Sequence, residues 1–146
     1  MLGLLILVVL AGGLVAVQAA VNARLGRDVG SPLIAALISF LVGTLVLLLA
    51  VWAIRAPIPV ASTIARIPWW GWLGGVFGAF FVSLVIQAVP RLGVAVTLSG
   101  VVAGQLAIAT LLDHFGWLGV PVHRISLIRV AGILLLLAGV ALTRLR

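Results

Sequence analysis

The chain has 146 residues, of which 65% are hydrophobic and 8% charged, with a mean hydropathy of +1.46. A monomer this apolar would expose patches that water does not tolerate, so a soluble globular domain is excluded. The net charge of +7 comes entirely from arginine, and Cys is absent, which removes disulfides and thiolate metal sites. The arginines stand singly or in pairs at the ends of apolar runs, where they snorkel toward anionic headgroups; no nucleic-acid partner is expected.

Uncharged runs lie at Leu2–Ala23, Val29–Ile54, Ile67–Pro90, Leu92–Leu112 and Val130–Thr143. A helix needs about 20 apolar residues to cross the hydrocarbon core of a bilayer, so the pattern predicts one transmembrane domain, residues 1–146, with five crossings. The first predicted helix runs from Leu2 to Asn22. It lacks the positive start and short apolar stretch of a cleaved signal peptide, so it is expected to be retained. The second covers 32–54, with Ser31 as N-cap and Pro32 at its first position, and stops before Pro57 and Pro59, which lack the N–H a continuing helix uses. Residues 55–68 read as the longest loop. The third runs over 69–89 and closes at Pro90, which disfavours helical geometry at Val89. The fourth covers 92–112. A segment rich in turn formers follows from Asp113 to Pro121, then the fifth helix over 126–143 and the tail Arg144-Leu145-Arg146.

Small residues recur at helix-contact spacing: Gly12, Ala16 and Ala20; Gly71, Gly75 and Ala79; Gly74 and Gly78; Gly100 and Gly104. In lipid such notches let backbones approach and gain dispersion contacts. Packing within one chain accounts for most of them, yet so many notched faces exceed what a small bundle needs and point to a dimer.

With five crossings, one side of the membrane holds Arg55, Arg66, Arg124 and Arg129, and the other holds Arg24, Arg27, Arg91, Arg144 and Arg146. Orientation is set by an asymmetry of Lys and Arg across the membrane, and four against five is none. The balance predicts insertion both ways round, giving an antiparallel homodimer about an axis in the membrane plane. Such a pair supplies the inverted repeat that many transporters build from two halves. All five Trp (Trp52, Trp69, Trp70, Trp72 and Trp117) fall on the first side; an inverted copy would restore an aromatic belt in each leaflet.

Particular residues carry a family resemblance. Val17-Gln18-Ala19-Ala20-Val21-Asn22-Ala23-Arg24-Leu25-Gly26, then Gly30-Ser31-Pro32-Leu33 and Ile38-Ser39-Phe40-Leu41-Val42-Gly43-Thr44, resemble the opening of the YdcZ-type family of the drug/metabolite transporter superfamily. Pro68-Trp69-Trp70 with Gly74-Gly75, Pro90-Arg91-Leu92-Gly93, Gly104-Gln105, Asp113-His114-Phe115-Gly116, Gly132 and Gly139-Val140 continue the likeness in order over nearly the whole chain. The resemblance implies a multi-pass protein of the bacterial inner membrane. It also implies short members that work as dual-topology homodimers, as oppositely oriented pairs, or as fused two-domain versions. It brings no defined substrate.

Polar side chains within lipid are costly, and that makes them candidates for function. Gln18 and Asn22 are four apart and share one face of the first helix. Ser39 and Thr44 lie near the middle of the second, and Gln105 near the middle of the fourth. An amide offers two donors and an acceptor, so Gln18, Asn22 and Gln105 are expected to line a cavity and orient a small solute, with Ser39 and Thr44 as second choices. Ser83, Thr97, Ser99 and Thr110 are expected to bond their own helix backbone.

No Asp or Glu lies in the central part of any predicted helix. Proton exchange through an embedded carboxylate, as in the small multidrug-resistance relatives, is therefore not open to this chain. Any coupling must use Asp28, Asp113, His114 or His123. Asp113 ends the fourth predicted helix, where the dipole disfavours a carboxylate, so a partner is expected, with Arg129 the best placed. Arg24 and Asp28, four apart, form a second expected pair.

Nothing resembles a catalytic site: there is no nucleophile beside a base, no metal-ligand spacing and no phosphate loop. The expected protein is a transporter working by alternating access, with no enzyme activity, cofactor or metal. The competing class is a non-transporting assembly or regulatory subunit whose polar residues only hold helices together.

Overall fold

The computed structural model describes residues 2–144; Leu145 and Arg146 of the tail lie outside the described residues. Those described are 84% helical, with no strand among them. The elements are α1 (Leu2–Asp28), α2 (Pro32–Ala53), α3 (Ala61–Ile64), α4 (Leu73–Leu92), α5 (Val94–Phe115) and α6 (Leu127–Arg144). Among the described residues, four segments are long and apolar enough to cross a membrane: α1 with 27 residues, α2 with 22, α4 with its opening 3-10 turn with 24, and α5 with 22. α6 is apolar but shorter, at 18 residues.

The helix ends show where local chemistry differs from the expected boundaries. α1 continues to Asp28 rather than stopping at Asn22, because nothing in Ala23-Arg24-Leu25-Gly26-Arg27 breaks a helix. Arg24 Nε also donates to both oxygens of Asp28 at 3.0 Å across that last turn. α2 starts at Pro32 with Ser31 Oγ accepting from the Ile34 N–H. The connection expected to be loop contains the single turn α3, and the third predicted helix opens with a 3-10 turn, Trp69–Trp72, before α4 begins at Leu73.

Pro90 lies inside α4 and does not end it. A proline removes one N–H bond to the carbonyl four residues back, and here that loss falls in the last turn, where it disrupts little. The stop comes instead at Gly93, whose φ of 82° is closed to most residues with a β-carbon. α5 therefore begins two residues later than expected and runs on to Phe115, which puts Asp113 and His114 within its last turn. α6 starts at Leu127, with Ser126 Oγ accepting from the Arg129 N–H at 3.3 Å.

The chain divides into two compact units, Met1–Arg91 and Leu92–Arg146. In the first, α1 packs along α2, and Ile86 of α4 is buried with Ala35 and Ala36, flanked by Leu25, Val29 and Val82. Gly26 makes this approach possible: a β-carbon there would stand 2.5 Å from Ile86 Cγ2. Further along α4, Gly78 lies under the Phe40 ring. In the second unit α5 packs against α6.

The buried hydrophobic set is small: Ala19, Ala23, Ala35, Ala36, Val85, Ile86, Val89 and Ala103. Large side chains such as Leu14, Phe80 and Leu135 point outward and are more than two-thirds exposed. Small residues inside and large ones outside is the arrangement expected when the surroundings are lipid, since burying a leucine against protein then gains only packing.

Candidate functional site

In the first unit one pair of polar side chains, Asn22 and Ser39, meets between α1 and α2. Asn22 is buried, at 6% exposure, and its Nδ2 donates to Ser39 Oγ at 3.2 Å. Burying an amide without a partner would be costly; the serine hydroxyl supplies that partner across the helix pair. Gln18 stands one turn before Asn22 on α1 and is exposed. The Asn22–Ser39 bond does not include it.

Thr44 is not part of this cluster in the same way. Its hydroxyl donates to Phe40 O of its own helix at 2.8 Å, which leaves only lone pairs to meet a ligand. Ser83, Thr97 and Thr110 make the same bond, to Ala79 O, Gly93 O and Leu106 O. This is the ordinary way for a small hydroxyl to sit in an apolar helix.

In the second unit Gln105 occupies the middle of α5 and is exposed. A β-carbon added at Gly100 or Gly104 on that helix would meet nothing within 4 Å, and the same holds for Gly12, Gly74 and Gly75. Of the notched glycines named above, only at Gly78 and Gly71 would an added β-carbon meet another side chain, Phe40 and Ile67 respectively.

The α5–α6 connection is tied by a compact set of bonds. Arg129 Nη1 donates to Asp113 Oδ2 at 3.2 Å and to His123 O at 3.4 Å. The His123 N–H donates to Asp113 O at 2.8 Å, and the Ile125 N–H donates to His114 Nδ1 at 3.1 Å. His114 meets Phe115 edge-on, and Phe115 stacks on Trp117. Asp113 and Arg129 are more than a third exposed, so solvent and headgroups screen their attraction. The bonds from His123 and Ile125 escaped the sequence analysis, because a backbone donor leaves no mark on residue type.

Fold and residues together define a multi-pass, all-α membrane protein with an apolar surface and amide groups within its spans. The family described as "Putative inner membrane exporter, YdcZ" matches residues 3–142. Inner membrane protein YdcZ of Escherichia coli (strain K12) is 31% identical over 123 residues, covering 84% of this chain and 82% of that protein. No solved structure matches. The chain belongs to the YdcZ-type family and is a multi-pass protein of the bacterial inner membrane.

Proposed function

We propose that this protein moves a small solute across the inner membrane by alternating access, as an antiparallel homodimer of five-crossing chains. The transporter role is that of its family. The observation that carries the rest is Gln105: a bulky amide at the middle of an apolar span, exposed, on a helix whose Gly100 and Gly104 are open. An amide facing hydrocarbon is costly, so this face must meet protein or water. A second copy meets it, and the even split of arginines supports an inverted copy.

In this reading α6 is the fifth crossing. Its 18 residues span about 27 Å at 1.5 Å per residue, close to the hydrocarbon thickness of about 30 Å. Gln18, Asn22 and Gln105 orient the solute, with Ser39 holding the Asn22 amide and Thr44 as a lone-pair acceptor. Asp113, Arg129 and His114 set the geometry between α5 and α6 and are the groups open to coupling. The protein is not an enzyme and needs no cofactor or metal; its partners are lipids, the solute and its own copy.

The Asn22–Ser39 bond favours a second reading, in which the polar groups only join helices in a non-transporting subunit. Two measurements separate the readings. Because the chain has no cysteine, a single Thr63→Cys in the α2–α4 connection reports its side of the membrane to an impermeant maleimide. The transporter reading expects labelling from both faces in comparable amounts and solute flux in proteoliposomes that Gln105→Leu abolishes. Labelling from one face alone overturns the inverted pair, and no flux for any small-solute panel overturns transport.

A further inference from the structure

At the C-terminal end of α2 the chain turns beside its own helix and leaves an open pocket of about 690 Å³, within the size range of small-molecule sites. Leu48, Val51, Trp52, Ala56 and Ile58 make its apolar wall, and Arg55 is the charged residue lining it. The turn has defined chemistry. The Ala56 N–H donates to Val51 O at 3.0 Å and the Arg55 N–H to Trp52 O at 3.1 Å, the paired bonds of a Schellman motif. Such a motif puts its central residue in the left-handed region, where glycine is the usual occupant. Here that residue is Arg55, with φ 51°, a conformation unfavourable to any residue with a β-carbon.

A cation near a helix C-terminus is favoured by the dipole, but a lysine or arginine in the preceding turn would serve that purpose without strain. The position does something else: it places an arginine among the residues that line an apolar pocket. Leu48 lies roughly two turns, about 10 Å, deeper along α2. Trp52, 80% exposed, marks the level of the headgroups, where tryptophan anchors. An arginine at the helix end and aliphatic side chains earlier along α2 match a phosphate joined to an acyl chain.

We propose that this pocket is a binding site for one anionic phospholipid, its phosphate on Arg55 and the start of its acyl chain along Val51 and Leu48. The site is independent of the transport reading: it needs neither a second copy nor any of the mid-span amides.

The test is native mass spectrometry of the full chain in detergent, titrated with phosphatidylglycerol or phosphatidylcholine. Arg55→Gly restores the residue the turn prefers, so its unfolding temperature in phosphatidylcholine should not fall. Its affinity for phosphatidylglycerol should drop about fivefold, the upper range for loss of one exposed ion pair, with phosphatidylcholine binding unchanged. Val51→Trp, which fills the pocket and leaves every charge in place, should lower phosphatidylglycerol binding as well. Arg66→Gly, removing another exposed arginine of the same connection, should leave it unchanged. The proposal is overturned if Arg55→Gly keeps its phosphatidylglycerol affinity, if Arg66→Gly loses as much, or if Val51→Trp has no effect. Displacement of the lipid by equimolar inorganic phosphate would also overturn it, by assigning the site to a free anion.

Discussion

Asn22 Nδ2 lies 3.2 Å from Ser39 Oγ, a bond between side chains seventeen residues apart that ties α1 to α2. Bonds of this kind within membranes average only about 0.6 kcal/mol in double-mutant cycles, because the separated helices also find partners. A cycle of Asn22→Ala and Ser39→Ala, read by unfolding in detergent, should therefore give a coupling near that figure. A coupling above about 2 kcal/mol would contradict a simple pairwise tie and require a larger network around the two residues.

The close approach at Gly26 gives a sharper expectation, because two opposing magnitudes meet there. Replacing a helix glycine with alanine gains up to about 1 kcal/mol in propensity. Forcing an extra carbon into a packed contact costs about 1–3 kcal/mol. With the new β-carbon 2.5 Å from Ile86 Cγ2, on a β-branched side chain that has little rotamer freedom, the cost should win and Gly26→Ala should destabilise. In an Ile86→Ala background the obstructing methyl is gone, and the same substitution should become neutral or stabilising. Equal effects in both backgrounds would show that Gly26 and Ile86 do not meet.

These two contacts mark where the sequence stops being informative. Four of the spans are legible because lipid imposes a rule that length and charge alone report, and the Ser31-Pro32 start is legible because capping is local. Pro90 misleads, since its effect depends on how much helix remains after it, and Gly93 sets that. The amides are legible as unusual residues in apolar helices. That Asn22 finds Ser39 while Gln18, one turn away, stays exposed is a matter of how α1 rotates against α2, which no local pattern encodes. Thr44 shows the same limit, since only the fold reveals that its hydroxyl turns to Phe40 O.

The ties across the α5–α6 connection can be tested bond by bond. His114→Phe removes the acceptor of the Ile125 N–H and leaves the backbone bond from the His123 N–H to Asp113 O in place. Hydrogen exchange should accelerate at the Ile125 amide and change little at His123. Asp113→Asn should cost less than about 1 kcal/mol, as an ion pair this exposed contributes little. Equal acceleration at both amides in His114→Phe would mean that the connection opens as one unit and that the imidazole bond is not a separate tie.

Gln105 offers the most direct test of what covers the middle of α5. The chain contains no cysteine, so Gln105→Cys carries a single thiol and needs no cysteine-free background. An antiparallel pair about an axis at mid-membrane brings residues at the midpoint of one copy near the same residues of the other, whereas residues near a helix end are carried to the opposite leaflet. Oxidation of Gln105→Cys in membranes should therefore yield a cross-linked dimer, and Leu4→Cys, close to the start of α1, should not. Water-soluble thiol reagents should also reach Gln105→Cys, because a solute path must admit water, while Leu41→Cys, on an exposed, apolar stretch of α2 that faces lipid in this reading, should react slowly. A cysteine at 105 that neither cross-links nor reacts with water-soluble reagents would place that side chain against lipid or in a dry seam, and the shared passage between two copies would have no residue at its centre.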